Sequence, residues 1–419
     1  MRPRWLVMAL SAAALAVALP ACGKSSTGAN AAISGSTLTV YSSLPEQGGT
    51  GDRAKAIENG IRIALANRAG KVGKYTIAYK PLDDSLASTG AADQGKGGQN
   101  ARTAAQDKTT IGYIGEYNSG ISTVTIRILN DAGIAQVSPT NTYVGLTSNA
   151  PGSEPGEPGR YYPTGKRTYV RVVPKDTVQA AALVTATKQD GCTTVAVFNS
   201  KSTDSAGLAR DIRLAAPKAG VKIVANDAYE PKAANYRSLM SKVHAACAIQ
   251  TGEIEQNGVQ VMKDFEQANP GAKLYGSDGI CLNAVADPKK GLPASLASNY
   301  HCSIATPDPK SLGPAGKRFL AAYKARYHQP QPDPYALYGY ESMSLLLDAI
   351  QRAQASGSLT REKVVDELFA TRNRDSALGL YSIDRNGDST ITAYGLYKIT
   401  GKAVSFDRVI KPNRSLIAG

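Results

Sequence analysis

One pattern narrows the folds open to this chain more than any other. Short apolar runs alternate with helical segments, the alternation breaks once, and it then begins again. In the first half, residues 37–43 (TLTVYSS) form an extended apolar run, and residues 54–69 place Ile57, Ile61, Ala64 and Leu65 on one helical face. A strand at 75–79, a helix from about 99 to 107 and the run IGYIGEYNSG-ISTVTIRILNDAG-IAQVSPTNT at 111–142 continue it as strand, helix, strand. Residues 149–167 interrupt the pattern with Pro151, Pro155, Pro158 and Pro163 among several glycines. The alternation then restarts as TYVRVV, DTVQAAALVTATKQ with Asp176 at its cap, TTVAVF, AGLARDIRLAAPKAG and VKIVAND. A helix over 236–246, AIQTG, a helix over 258–268 and LYGSDG complete it. Strands that alternate with helices pair in parallel through right-handed crossovers. The pattern therefore predicts an α/β chain of two doubly wound parallel-sheet lobes, with a cleft between two sets of strand ends.

The stretch 111–142 shows what such a cleft would offer. Its first strand ends in a glycine turn with Ser119 at the start of a helix, and its second ends in a hydroxyl-rich turn with Thr140 and Thr142. Strand ends and helix N-termini leave backbone N–H groups free to hold an anion. Ser119 and Thr142 are thus expected to hold a carboxylate. Two other stretches imitate ion sites and fall short. GAADQGK at 90–96 fits a phosphate-loop spacing, but Gly97 stands where a magnesium-binding hydroxyl is needed. DRNGDSTIT at 384–392 begins like a calcium loop, yet Ser389 and Gly395 replace its glycine and glutamate, so a hairpin turn is expected there.

The first residues belong to neither lobe. Arg2 and Arg4 precede an apolar run that is too short to span a bilayer and ends in small residues, as export signals do. Residues 1–21 are read as a signal segment. Leu19-Pro20-Ala21-Cys22 resembles a bacterial lipobox, so Cys22 is expected to be the lipidated N-terminus, and residues 22–36 a flexible tether. Without Arg2 and Arg4 the chain keeps 46 basic against 34 acidic residues, about +12. These charges are scattered, which argues for a solvated surface and against nucleic-acid binding.

Four cysteines then remain for an oxidising compartment. Cys192 and Cys247 each precede an apolar strand, and Cys281 and Cys302 flank the next two. Neighbouring strands would bring Cys192 to Cys247 and Cys281 to Cys302, bonds worth about 4 and about 3 kcal/mol on chain entropy. No C-x-x-C spacing occurs and His244, His301 and His328 lie far apart, so no metal or cofactor is expected. The histidines also lack a nucleophile partner, which disfavours an enzyme.

Taken together, the exported start, the loop and helix at 47–69, Asp83-Asp84, GEYNSG, VSPTNT, YVRVVPKD, GLAR, LYGSDG, PDPYALYGYE and IDRNGD resemble the branched-chain amino acid binding proteins of ABC transporters. The resemblance implies a type I periplasmic-binding fold with a three-strand hinge. It places a first lobe at 37–168 and 303–378, a second at 169–302, and a C-terminal hairpin at 379–419 returning to the second. It implies hinge strands near 169–174, 302–307 and 379–387. It also implies that Ser119 and Thr142, with backbone help near Thr140, hold a ligand α-carboxylate while Asp278 holds its α-ammonium.

Two positions depart from the family pattern, since Asp204 and Glu253 stand where tyrosines are expected. The resemblance therefore leaves open a ligand more polar or cationic than leucine. The implied role is capture of a small amino acid or amide, outside the membrane, by a monomeric, lipid-anchored protein that faces the periplasm or cell exterior and delivers to an ABC permease. A sensory module of the same fold is the alternative.

Overall fold

The computed structural model describes residues 35–417. The expected signal segment, Cys22 and nearly all of the tether lie outside those residues. The chain opens with β1 (Thr37–Leu44), α1 (Gly51–Ala66), β2 (Lys71–Val72), β3 (Tyr75–Asp83) and α2 (Gln94–Gln106). β4 (Thr110–Ile114), α3 (Ser119–Asp131), β5 (Ala135–Ser138) and β6 (Tyr169–Arg171) complete a six-stranded sheet of order β2-β3-β1-β4-β5-β6. Every pairing in it is parallel except the β2–β3 edge.

The second sheet takes α4 (Asp176–Gln189), β7 (Thr194–Asn199), α5 (Thr203–Lys218), β8 (Lys222–Ala228), α6 (Arg237–Met240), β9 (Cys247–Gln250), α7 (Gly258–Ala268), β10 (Lys273–Gly276) and β11 (Tyr300–Ile304). Helices α8 (Pro314–Tyr327), α9 (Tyr335–Ala355) and α10 (Arg361–Phe369) then return to the first sheet, where α9 lies on α1 and α10 packs on β4 and β5. A short pair, β12 (Arg374–Ser376) and β13 (Gly379–Tyr381), precedes the antiparallel hairpin of β14 (Tyr394–Thr400) and β15 (Ala403–Ile410). That hairpin extends the second sheet, whose order is β15-β14-β11-β10-β9-β7-β8. The architecture is the α/β, doubly wound, two-lobed one that the alternating pattern predicts.

Several local expectations shift. Tyr169–Arg171 pairs with β5, so the first sheet extends three residues beyond an edge at 168. Helix α2 starts at Gln94 because the Asp93 side chain accepts the Lys96 N–H and caps it. The helix expected over 236–246 stops at Met240. Beyond it the Asn269 side chain takes the Val243 carbonyl and the Ala245 N–H, serving backbone groups that a helix would have used. At 384–388 the chain makes a turn closed by an Ile383–Ser389 bridge, and the hairpin proper comes afterwards in β14 and β15. Asp388 is buried there in an ion pair with Arg171 at 2.8 Å.

The strand apposition expected for the cysteines is present. Cys192 and Cys247 are bonded with Cα atoms 6.0 Å apart, and Cys281 and Cys302 with Cα atoms 5.3 Å apart. One helix crossing sets the geometry of the cleft. A Cβ at Gly60 would run into the Ala336 carbonyl, and one at Gly339 into the Ile57 carbonyl, so α1 and α9 approach at backbone contact. This fixes Arg53 and Tyr335, near the N-terminal ends of those helices, at the mouth of the cleft.

Candidate functional site

The carboxyl ends of the two sheets meet across one cavity. Its lining includes Ser119, Thr140 and Thr142 from the first lobe and Asp204, Glu253 and Asp278 from the second, with Tyr117, Asn118, Asp176, Leu208 and Tyr335 between them. All six ligand-site residues expected from the sequence therefore share a single cavity. Its volume is about 30 Å³, room for little more than water, so the lobes stand closed. An amino-acid-sized ligand enters only when they part.

On the first lobe, β4 and β5 end in turns that are tied together. Thr140 Oγ1 donates to the carbonyls of Glu116 and Tyr117 at 3.0 and 2.7 Å, and the Asn141 amide donates to the same two carbonyls at 2.9 Å each. Thr140 is thus spent on the scaffold; Ser119 Oγ accepts the Tyr143 N–H at 3.4 Å and keeps its own proton to donate, and the Thr142 side chain hydrogen-bonds the Asp176 carboxyl. Ser119 opens helix α3, where no side chain caps the first turn and the dipole favours an anion. The Thr142 turn is held from beneath. Arg171, fully buried and paired with Asp388, donates to the carbonyls of Asn141 and Tyr143 at 2.9 and 3.0 Å.

On the second lobe, Asp278 follows β10 and is aimed by two donors. Gln179 Nε2 reaches its Oδ1 at 2.8 Å and the Tyr335 hydroxyl its Oδ2 at 2.9 Å. Each oxygen keeps a lone pair for a cation. Asp204 begins helix α5 and Glu253 follows β9, and both keep part of their surface toward the cavity. Burial drives both carboxyls up; Asp204 raises Glu253 further, while the hydrogen bond to Glu253 partly offsets the rise of Asp204. Glu253 also accepts from the Asn118 amide across the cleft.

Three residues that the sequence reading did not assign to the site matter here. Arg53 is buried on α1 and donates across the cleft to the carbonyls of Asp278, at 2.9 Å, and Cys281, while its Nε holds Asp333 at 3.0 Å. Burial lowers its pKa, but Asp333 and the hydroxyls of Tyr117 and Tyr335 more than offset this and keep it charged. Tyr335 lies under the guanidinium, 4.7 Å from ring centroid to Cζ. Asp176 is buried at the start of α4, and its Oδ2 has no hydrogen-bond partner. Burial first, and Asp211 second, raise its carboxyl well above the usual range. The signals available for these were weak: a charged residue in a helix's first turns reads as solvated, and only Asp176 showed as a helix start.

Comparison with known proteins follows the same lines. The chain is 23% identical over 359 residues to the Leu/Ile/Val-binding protein homolog 1 of Brucella abortus, covering 85% of this chain and 88% of that one. Its fold matches a leucine binding protein from Thermotoga maritima with TM-score 0.74 at 23% identity, over 90% of this chain and 99% of the other. It also matches a solute binding protein from R. palustris in complex with benzoate, with TM-score 0.71 at 16% identity over 90% and 97%. The family model described as periplasmic binding protein matches residues 41–403, and the chain belongs to that family.

Proposed function

We propose that the protein captures an amino acid outside the membrane and delivers it to an ABC permease. One observation supports this above the rest: an anion-favouring helix start with Ser119 and Thr142 faces, across one cavity, an Asp278 carboxylate aimed by two donors. An α-amino acid matches that polarity, with its carboxylate on the first lobe and its ammonium on the second. Leucine and benzoate, named with two proteins of this fold, share only a carboxylate. The carboxylate anchor would then be the common chemistry of such clefts, and the opposite wall would set the ligand. Closure of this kind needs no catalytic group: binding energy shifts open lobes to the closed form that a permease engages.

Charge-assisted hydrogen bonds contribute about 1.5–3 kcal/mol each, so Ser119→Ala and Asp278→Asn should each weaken amino-acid binding by roughly 10- to 100-fold. Calorimetric titration checks this, and unchanged affinity in both variants would refute the clamp. Cys22 is proposed as the lipid anchor of a monomeric protein at the outer face of the membrane. A Cys22→Ser variant should leave the membrane fraction for the soluble one, and retention at the membrane would contradict the anchor.

A further inference from the structure

The amino-acid reading uses one carboxylate of the cleft, and four line it: Asp176, Asp204, Glu253 and Asp278. Among the described residues, no lysine, arginine or histidine lines it. The nearest buried cations are committed elsewhere, Arg53 to Asp333 and two carbonyls and Arg171 to Asp388. Apolar wall is scarce, limited to Leu208 and the rings of Tyr117 and Tyr335.

The surplus acids also converge. Asp176 Oδ2, buried and without a hydrogen-bond partner, would lie 3.7 Å from a Cβ at Gly207, which places it against helix α5 within one turn of Asp204. A Cβ at Gly279 would lie 2.9 Å from the Glu253 side chain, so Glu253 stands beside the turn that carries Asp278. An aliphatic side chain closed into this wall would strip water from three carboxyls and return no hydrogen bond, which is costly. A cation with several N–H donors would satisfy them.

Resting on the amino-acid reading above, we infer that the ligand is an α-amino acid whose side chain ends in a second cation, an ammonium or guanidinium, received by Asp204 and Glu253 beside Asp176. The family's aliphatic ligands lack this group. The two departures from the family pattern are then the specificity determinants of this chain.

The test is titration calorimetry on the mature protein with leucine, norleucine, glutamine, ornithine, lysine, arginine and the diamine putrescine. Norleucine and ornithine match in length and differ in the terminal charge, and lysine is norleucine extended by the ammonium. At least one of ornithine, lysine and arginine should bind at least about tenfold tighter than norleucine. A Glu253→Gln variant, and separately Asp204→Asn, should reduce that ratio to below about threefold while norleucine binding is kept or improved. A circular-dichroism melt of each variant confirms that it folds, and the wild-type ratio decides the matter even if neither does. Leucine or norleucine binding as tightly as the cationic set would overturn the second cation and leave the amino-acid reading standing. Putrescine binding in place of every amino acid would overturn the carboxylate anchor itself, and the ligand class with it.

Discussion

Arg53 shows how much one side chain can decide. Its planar fork reaches a carboxylate on its own lobe and two carbonyls on the other, so it belongs to the closed state alone. Lysine cannot make that set of contacts, and Arg53→Lys should weaken ligand binding about tenfold by destabilising closure, read as a lower affinity without loss of fold. A second buried device sits deeper in the first lobe. Asp84 and Glu116 are both buried, facing Ser43 and Tyr113, with Asp83 and Lys96 nearby. Burial, with Asp83 adding to it, pushes Asp84 up to about 7, and burial together with Asp84 holds Glu116 well above its ordinary value. A carboxyl with a raised folded pKa stabilises fully below its unfolded value and loses that contribution as pH rises through the folded one. Wild-type stability should therefore fall between about pH 4 and about pH 7 by an amount on the order of 1–3 kcal/mol that Asp84→Asn reduces, measured by urea unfolding. The places of Ser119 and Thr142 were legible in the sequence because turn residues directly after apolar strands sit at sheet ends, while Asp278 was reached through the family resemblance. Arg53 and Asp84 were not, since nothing local in an Asp-Arg-Ala-Lys or Asp-Asp stretch tells a buried charge from a solvated one.

At the scale of elements, the α1–α9 crossing carries the cleft. Helix propensity alone favours alanine over glycine by about 1 kcal/mol, so Gly60→Ala would stabilise an isolated helix. In this fold the added methyl meets the Ala336 carbonyl, and the variant should instead lose about 1–3 kcal/mol in chemical denaturation, with Gly339→Ala behaving alike. Element order and type followed from periodicity throughout both sheets. Boundaries did not, because they were set by side chains acting at a distance: Asp93 began α2 early, and Asn269 ended α6 early. The cysteine pairs were readable for the opposite reason, since the parallel order fixes strand neighbours: Cys192 just precedes β7 and Cys247 opens β9 beside it, and Cys281 follows β10 while Cys302 lies in the neighbouring β11.

For the whole molecule, both disulfides belong to the second lobe and neither crosses the cleft. Cross-cleft contacts instead come from Arg53, Asn118 and Tyr335 of the first lobe meeting Asp278, Cys281 and Glu253 of the second. The chain passes between its sheets after β6, after β11 and before β14, which leaves three covalent links about which the lobes can rotate. Such a molecule is built to convert ligand contacts into closure. The central claim is that an α-amino acid bridges the two strand-end walls, and thermal unfolding in the presence of an amino-acid panel tests it most directly. At 100 times its Kd the true ligand should stabilise the protein by about 2.7 kcal/mol, and Asp278→Asn, with its roughly 10- to 100-fold weaker binding, should cut that shift to about 0.4–1.4 kcal/mol at the same concentration. A panel in which no α-amino acid moves the transition, while sugars or nucleotides do, would contradict the account.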